Sequence, residues 1–449
     1  MIKKILLSAI TLSILSSCSN GLASKAKEPY NILHYNQVRN IGGEAYSNFK
    51  ISPSLPKNED EKNAVKLSYF MSDTSSEQSS WSVKMISAME DLPQKNVHNV
   101  VFRDGAEIGD TRMYYLRTGK ELSYIESPSA LLAGNINEVQ SNNPKVFSEV
   151  LKWTFDNYKG QRKYLQLYTT GGGITGIGSD SNQTNLKGEK LPEENTINMI
   201  PISNFSDSIA NALDGEKIDI LYFRACMMGN IEALYELKDS TKYIITAEDP
   251  SYSKEKANLT MTKIFDELIA KNLDPKDIAY QMYLNAQGRK NEDSSYMSFV
   301  SVDMSKIDDF KKIFEIMAFE LVKNFKEEKN NILKAYDETI KTKKEDNAKA
   351  DPDCESMKDI WDFLLKLEKN TNNKDIKKAV ENLKKEQKRL MMQYRDSFGG
   401  NANGLSLFMP DRNRLNVNDN MYYFTTEKYF TSDFAKNSNW VIFLKLLMT

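Results

Sequence analysis

The sequence predicts an α/β protein with a central parallel sheet and right-handed crossovers. Short apolar runs recur through the first half of the chain, at intervals that leave room for crossover connections. Most are apolar along their whole length, which is typical of strands covered on both faces. Segments with helical spacing separate several of the runs. The predicted strands are 64–71, 97–102, 113–117, 164–169, 218–223 and 243–246.

Helices and one long loop are predicted between these strands. Helical spacing of apolar residues covers 79–92 and 230–237. Another helix begins near Pro144, because proline is favoured at the first helical position. The polar stretch 178–198 is predicted to be a surface loop. Together these elements define a predicted core at 63–304.

The character of the chain changes after this core. Apolar stripes at helical spacing lie within 310–325 and 376–394, and the charged stretch 341–353 separates them. We predict a helical hairpin at 305–398, whose charged faces are solvated surfaces rather than a coiled-coil partner site. A final strand and helix within 399–449 are expected to complete the core.

The N-terminus has the pattern of a targeting segment. Lys3 and Lys4 precede an apolar stretch, 5–15, that is too short to span a bilayer. The following Leu15-Ser16-Ser17-Cys18 resembles the lipobox of bacterial lipoproteins. This resemblance implies removal of 1–17, lipidation of Cys18 and anchoring to a membrane of the bacterial cell envelope. The alternative is an ordinary secretory signal with a chance cysteine.

Composition narrows the classes of partner and cofactor. Residues 18–62 are mostly polar and are predicted to tether the core to the membrane. The net charge of −2 gives no reason to expect a nucleic-acid partner. With Cys18 acylated, Cys226 and Cys354 remain, and we do not expect them to form a disulfide. No zinc-site or phosphate-loop spacing occurs, so no metal or cofactor is expected.

Two predicted strands end at residues suited to nucleophilic catalysis. The strand at 164–169 leads to Thr170 and then to Gly171, Gly172 and Gly173, whereas the next strand leads to Cys226. A catalytic residue before a glycine run, followed by a second strand ending in cysteine, is the way a cysteine/histidine dyad is displayed. Here threonine replaces the histidine, so the expected nucleophile is present without its expected base.

These motifs resemble those of the clostripain-like cysteine peptidases. The resemblance rests on the order of elements, the glycine run, the segment Ala225-Cys226-Met227-Met228-Gly229 and the late strand Gly404-Leu405-Ser406-Leu407-Phe408-Met409-Pro410. It extends from about residue 64 to about residue 446. It implies a caspase-type fold, with a parallel-sheet α/β/α core and a helical C-terminal elaboration.

The resemblance also implies roles for individual residues. The family's catalytic histidine corresponds to Thr170 and its nucleophile to Cys226. An acidic residue that helps select a basic substrate side chain corresponds to Arg224. The chain therefore lacks the family's base and carries the opposite charge at the specificity position.

Threonine cannot replace the histidine chemically, because its hydroxyl does not titrate usefully near neutrality. The chain has only two histidines. His34 lies in the predicted tether and His98 in the second predicted strand, and we do not expect either to face Cys226.

The neighbouring residues leave alternatives open. Arg224 and Cys226 are two residues apart and would share a face of a strand. The guanidinium would then lower the thiol pKa or pair with an acidic group, unless a degenerate site no longer selects the residue. The glycine run either lets the backbone approach a ligand closely or supplies amide donors for an oxyanion, unless it simply forms a tight turn.

Two functional hypotheses follow. The first is a membrane-anchored, catalytically impaired or inactive homologue that binds peptide or protein in the former active-site groove. The alternative is an active cysteine endopeptidase that uses Cys226 with a non-standard base and prefers acidic residues.

Overall fold

A computed structural model describes the chain from residue 61 to residue 447, with gaps. The predicted signal peptide and all but the end of the tether lie outside the described residues, as do Cys18, His34 and Cys354. The described residues are 61–71, 82, 84–86, 88–89, 96–105, 111–116, 122–125, 139–180, 199–248, 255–288, 298–342, 356–395, 403–412, 429 and 432–447.

A nine-stranded sheet runs through the centre of the described structure. The named strands are β1 (Lys62–Met71), β2 (Val97–Asp104), β3 (Arg112–Leu116), β4 (Leu122–Ile125), β5 (Gly160–Tyr168), β6 (Ile218–Arg224), β7 (Thr241–Thr246), β8 (Phe299–Asp303), β9 (Met357–Asp359), β10 (Met391–Arg395) and β11 (Ser406–Phe408). The order in the large sheet is β10-β8-β7-β6-β5-β1-β2-β3-β4.

The prediction of a parallel sheet holds for its centre. Strands β2, β1, β5, β6 and β7 pair in parallel, whereas β3 and β4 at one side and β8 and β10 at the other pair antiparallel. The parallel strands correspond to five of the six predicted strands. The carboxyl ends of these strands therefore meet along one edge of the sheet.

Helices cover both faces of the sheet. They are α1 (Pro144–Asn157), α2 (Ile202–Ala212), α3 (Ile231–Glu236), α4 (Glu255–Ala270), α5 (Pro275–Gly288), α6 (Ile307–Lys323), α7 (Phe325–Glu338), α8 (Ile360–Asn370), α9 (Lys374–Leu390) and α10 (Asn439–Leu446). None of the helices in the described part of the chain is long and apolar enough to cross a membrane.

Strand β6 shows why the apolar runs form buried strands. Every residue of β6 is buried. Leu221 and Phe223 pack into the core cluster on the α1 and α2 side, whereas Ile220 and Tyr222 pack into the cluster on the α4 and α5 side. A strand between two helical layers has no solvated face, so alternation with polar residues is absent.

The C-terminal elaboration is more complex than the predicted hairpin. The two predicted stripes fall on α6 and α9, which pack together, and the segment also contains α7, α8 and β9. Strand β10 then joins the large sheet beside β8. Strand β11 pairs with β9 in a separate two-stranded sheet. The late strand thus joins the protein through this sheet and through packing, rather than through the large sheet.

Candidate functional site

The ends of β5 and β6 bring Thr170 and Cys226 to the same edge of the sheet. Tyr168 pairs with Arg224 in the parallel register, and the Thr169 amide donates to the Arg224 carbonyl oxygen at 3.4 Å. Thr170 and Cys226 each lie two residues beyond this pair, and Gly171, the residue after Thr170, packs against the Cys226 backbone. The threonine and the predicted nucleophile therefore follow neighbouring strand ends.

The glycine run packs directly against the Cys226 backbone. A Cβ atom on Gly171 would lie 2.0 Å from the Cys226 carbonyl oxygen, so only glycine fits there. The Gly172 amide donates to the Gly176 carbonyl at 3.0 Å and is therefore used inside the loop. Gly173 has a φ of +64°, which glycine adopts without a steric cost. The run thus forms a tight turn that packs against the Cys226 backbone.

Cys226 lies in a turn between β6 and α3. Cys226 is half-buried, and the next residue, Met227, has a φ of 55°. Asn230 closes the turn and caps α3. The Gly229 amide donates to the Ala247 carbonyl at 2.7 Å, which fixes the turn against the end of β7.

Arg224 is buried in the sheet face below α4. Its Nη1 donates to the Tyr222 hydroxyl at 2.9 Å, and its Nη2 donates to Oδ1 of Asn258. The guanidinium carbon also lies 5.4 Å from the centre of the Tyr222 ring. The positive charge at the predicted specificity position is therefore held in one orientation by neighbours on β6 and α4.

These contacts belong to a polar seam along α4. Asn258, Thr262 and Asp266 are spaced four residues apart and therefore lie on one side of the helix. They contact Arg224 on β6, Tyr168 on β5 and Lys66 on β1, respectively.

Burial strongly affects the ionisation of this seam. Burial raises the Asp266 pKa, and the Lys66 ammonium opposes the rise. The Lys66 pKa is lowered by burial, against the attraction of Asp266. Burial raises the pKa of Tyr168, while the charge on Arg224 opposes that shift.

His98 lies far from the thiol. It is buried, and its Nδ1 atom is 2.9 Å from the Tyr115 hydroxyl oxygen. The registers of β2, β1, β5 and β6 make His98 level with Asp219. Cys226 is seven residues beyond Asp219, which is roughly 20 Å of strand. Among the described residues, no histidine therefore faces the thiol.

Comparison with known proteins identifies the family of this chain. A sequence model described as the clostripain family matches residues 64–446. The chain belongs to the clostripain family. The predicted membership is confirmed. No curated protein matches the chain.

Two solved structures show the same caspase-like fold. One is a secreted C11 cysteine protease from Bacteroides thetaiotaomicron in complex with an irreversible peptide inhibitor, with a TM-score of 0.57 and 14% identity over 84% of this chain and 99% of that chain. Another is an inactive zymogen C11 protease from Parabacteroides distasonis, with a TM-score of 0.56 and 14% identity over 86% of this chain and 99% of that chain. At this identity, the likeness establishes the fold alone.

Sequence reasoning missed three carboxyl groups that follow the Cys226 turn, of which Glu232 and Glu248 are buried and Glu236 is half-buried. Glu232 accepts hydrogen bonds from the Phe408 amide at 2.9 Å and from the Tyr429 hydroxyl at 3.1 Å. Glu236 accepts from the Asp433 amide at 2.5 Å. Burial raises the pKa of both glutamates to about 7. These groups tie α3 to the C-terminal segment.

The third carboxyl group lies at the end of β7. Glu248 accepts a hydrogen bond from the Gly404 amide at 2.6 Å and bonds to the side chain of Asp359. Burial raises the Asp359 pKa, and the bond to Glu248 opposes the rise. The sequence shows Glu232, Glu236 and Glu248 as acidic residues but does not reveal their environment. The backbone amides that donate to these three glutamates are 156 to 197 residues away along the chain.

The structure near the turn also contains a small cavity but no cluster of metal ligands in the described residues. A cavity of about 40 Å³, enough for a water molecule, is lined by Ile174, Ile202, Glu232, Ala233, Glu236, Tyr429 and Ser432. Within the described ranges, no group of three histidine, cysteine or acidic side chains is placed to hold a metal ion.

Proposed function

We propose that this clostripain-family protein is a catalytically impaired or inactive cysteine peptidase homologue that binds peptide or protein in its former active-site groove. The observation that carries the proposal is Thr170 at the strand end beside Cys226. The nucleophile position is kept, but the adjacent side chain cannot accept and return a proton near neutrality.

The chemical loss is large for a peptidase. A cysteine with an ordinary pKa is only a few per cent thiolate at pH 7. General acid–base help contributes about two to four powers of ten in rate. Because His98 hydrogen-bonds with Tyr115 at the other end of the sheet, it offers no replacement for this help.

A groove that still binds peptide is supported by the geometry around the thiol. Gly171 keeps the loop backbone in contact with the Cys226 backbone, and Cys226 is half-buried. Arg224 carries a charge that complements an acidic side chain. A polypeptide with acidic residues is therefore the ligand class that suits this edge, and we do not propose a nucleic-acid partner.

Membrane attachment is a separate part of the proposal. The segment that ends at Cys18 supports lipidation, which would hold the protein at the bacterial cell envelope and leave the core exposed on a tether. Several acyl chains give stable anchoring without a transmembrane helix.

The alternative function is an active cysteine endopeptidase with a non-standard base and a preference for acidic residues. The retained thiol at Cys226 and the fixed cation at Arg224 favour it. It differs from the first function in one measurable respect, the hydrolysis of a peptide bond that depends on the thiol.

The deciding experiment measures cleavage and binding with the same peptides. Two fluorogenic peptide sets, one with arginine or lysine and one with aspartate or glutamate before the scissile bond, are incubated with the parent chain and with Cys226→Ala. We expect no thiol-dependent cleavage of either set, but saturable binding of acidic peptides that weakens in Arg224→Leu. Cleavage of acidic peptides that disappears in Cys226→Ala would instead establish the alternative.

A further inference from the structure

The turn that presents Cys226 contains an unfavourable backbone conformation. Met227 has a φ of 55°, in the left-handed region that side chains with a Cβ atom rarely adopt. Its side chain is only 3% exposed, so the residue is also packed. Such a conformation persists only where the surrounding structure holds it.

The side chain of Asn230 bonds both to this turn and to the helix that follows it. Its Nδ2 donates to the Met227 carbonyl oxygen at 2.8 Å, and its Oδ1 accepts from the Ala233 amide at 2.8 Å. Asn230 is fully buried. One rigid amide group thus connects the left-handed residue to the first turn of α3.

The turn is confined on two further sides. On one side, Gly171 contacts the Cys226 backbone so closely that no Cβ atom fits. On the other, a Cβ atom on Gly229 would lie 2.9 Å from the Ala247 carbonyl oxygen and from the Glu248 backbone. These contacts limit where the turn can move, but neither involves a hydrogen bond to Met227. Asn230 donates such a bond to the Met227 carbonyl oxygen.

We infer that Asn230 is a positioning residue, whose amide holds the left-handed turn at Met227 and thereby fixes the Cys226 thiol against the glycine run. This role goes beyond the proposed function, because it concerns the placement of the thiol whether the site hydrolyses peptides or only binds them.

The substitution Asn230→Ser isolates the bond to Met227. Serine is a good helix N-cap and is neutral, so it keeps an acceptor for the Ala233 amide. Its hydroxyl is too short to reach the Met227 carbonyl as well. The matched control is Asn373→Ser, because Asn373 caps α9 with its Oδ1 and donates from Nδ2 to Asn324 at 2.9 Å.

The measurement is alkylation of Cys226 by iodoacetamide in the full chain carrying Cys18→Ser and Cys354→Ser. Cys226 is then the sole thiol of the three in the sequence. Loss of one buried hydrogen bond raises the population of a displaced turn about fivefold, so we expect the alkylation rate to rise about fivefold in Asn230→Ser. The Asn373→Ser control should react at the parent rate.

The dependence on urea separates positioning from general destabilisation. A local movement of the turn exposes little surface, so the faster alkylation should hardly change with urea below the unfolding transition. Parent-like alkylation in folded Asn230→Ser would overturn the inference. A rise that grows steeply with urea would also overturn it, because the thiol would then react through global unfolding.

A second variant decides the matter if Asn230→Ser does not fold while Asn373→Ser does. Glycine adopts a positive φ without steric cost, so adding Met227→Gly should restore folding if Asn230 holds that conformation. If Met227→Gly alone folds but does not restore folding of Asn230→Ser, Asn230 has a different role.

Discussion

Replacing Thr170 by histidine tests the central interpretation of the site. Thr170 follows the β5 strand end that is in register with the end of β6, and its neighbour Gly171 touches the Cys226 backbone. An imidazole introduced at this position should reach the thiol from the adjacent strand. We therefore expect Thr170→His to create thiol-dependent cleavage of peptides.

The size of the gain can be bounded. A positioned general base contributes about two to four powers of ten, equivalent to about 3 to 5 kcal/mol of activation free energy. A misplacement of about 1 Å can cost a factor of about a hundred. The Gly172 amide is also bonded within its loop and is not directed at a substrate oxyanion. We therefore expect a gain of about tenfold to a hundredfold in kcat/KM.

Introducing histidine at position 170 should not change which substrate side chains the site prefers. Arg224 remains bonded to Tyr222 and Asn258, so its charge still disfavours a basic side chain in the same region. Cleavage by Thr170→His should favour acidic residues. Adding Arg224→Asp should move the preference towards basic residues, because the sign of the charge is reversed. The double variant should be less stable, since the shorter side chain leaves space beside α4.

The assay is a pH series with the two fluorogenic peptide sets. Cleavage by Thr170→His should change with an apparent pKa near that of histidine, about 6.5. Thr170→Gln provides a side chain that does not titrate, and Cys226→Ala in the Thr170→His background removes the nucleophile. Activity in Thr170→Gln equal to that in Thr170→His, or activity that survives Cys226→Ala, would refute the reasoning.

Three further predictions concern stability and location. Because burial raises the Glu232 pKa to about 7, its stabilising contribution is present below its ordinary value near 4.5 and is lost as the pH rises through 7. Melting temperatures should therefore fall from pH 5 to pH 8, and less steeply in Glu232→Gln; an unchanged slope would contradict this. Asp266→Asn should lower the free energy of unfolding by about 3 to 5 kcal/mol, because it leaves the buried Lys66 charge without its carboxylate, and Lys66→Met together with Asp266→Leu should recover most of it in urea titrations. If Asp266→Asn costs no more than an exposed substitution, the ion pair is not maintained. Cys18→Ser should leave an unprocessed precursor and remove the protein from the membrane fraction, whereas Cys354→Ser should not; a processed and anchored Cys18→Ser protein would exclude lipidation.

The sequence by itself determined the central strands and the identity of the residues at their ends. Buried strands between helical layers are apolar along their length, so β1, β5 and β6 were visible as short runs. The positions of Thr170, the glycine run and Cys226 follow from where those runs end. Family membership was predictable for the same reason, because the ordered motifs lie within residues 64–446, which the clostripain family model matches.

Local patterns were less informative at the edges of the sheet and in the C-terminal elaboration. Strand β9 contains only three residues, too few for a reliable period of alternation, whereas β11 lies within the predicted late strand. Of the helices α6 to α9, only α6 and α9 were predicted from their apolar stripes, whereas α7 and α8 were missed. The pairing of β11 with β9 depends on segments that are distant in sequence, and apolar spacing does not encode such pairings.

Only the tertiary structure decided how the site is held. The i, i+4 and i+8 residues of α4 become a polar seam because β6, β5 and β1 each place one polar side chain below that helix. Glu232 and Glu248 become buried hydrogen-bond acceptors because the chain returns to them 176 and 156 residues later. A residue's type shows which bonds it can form, but long-range packing determines which partner arrives and whether water is excluded.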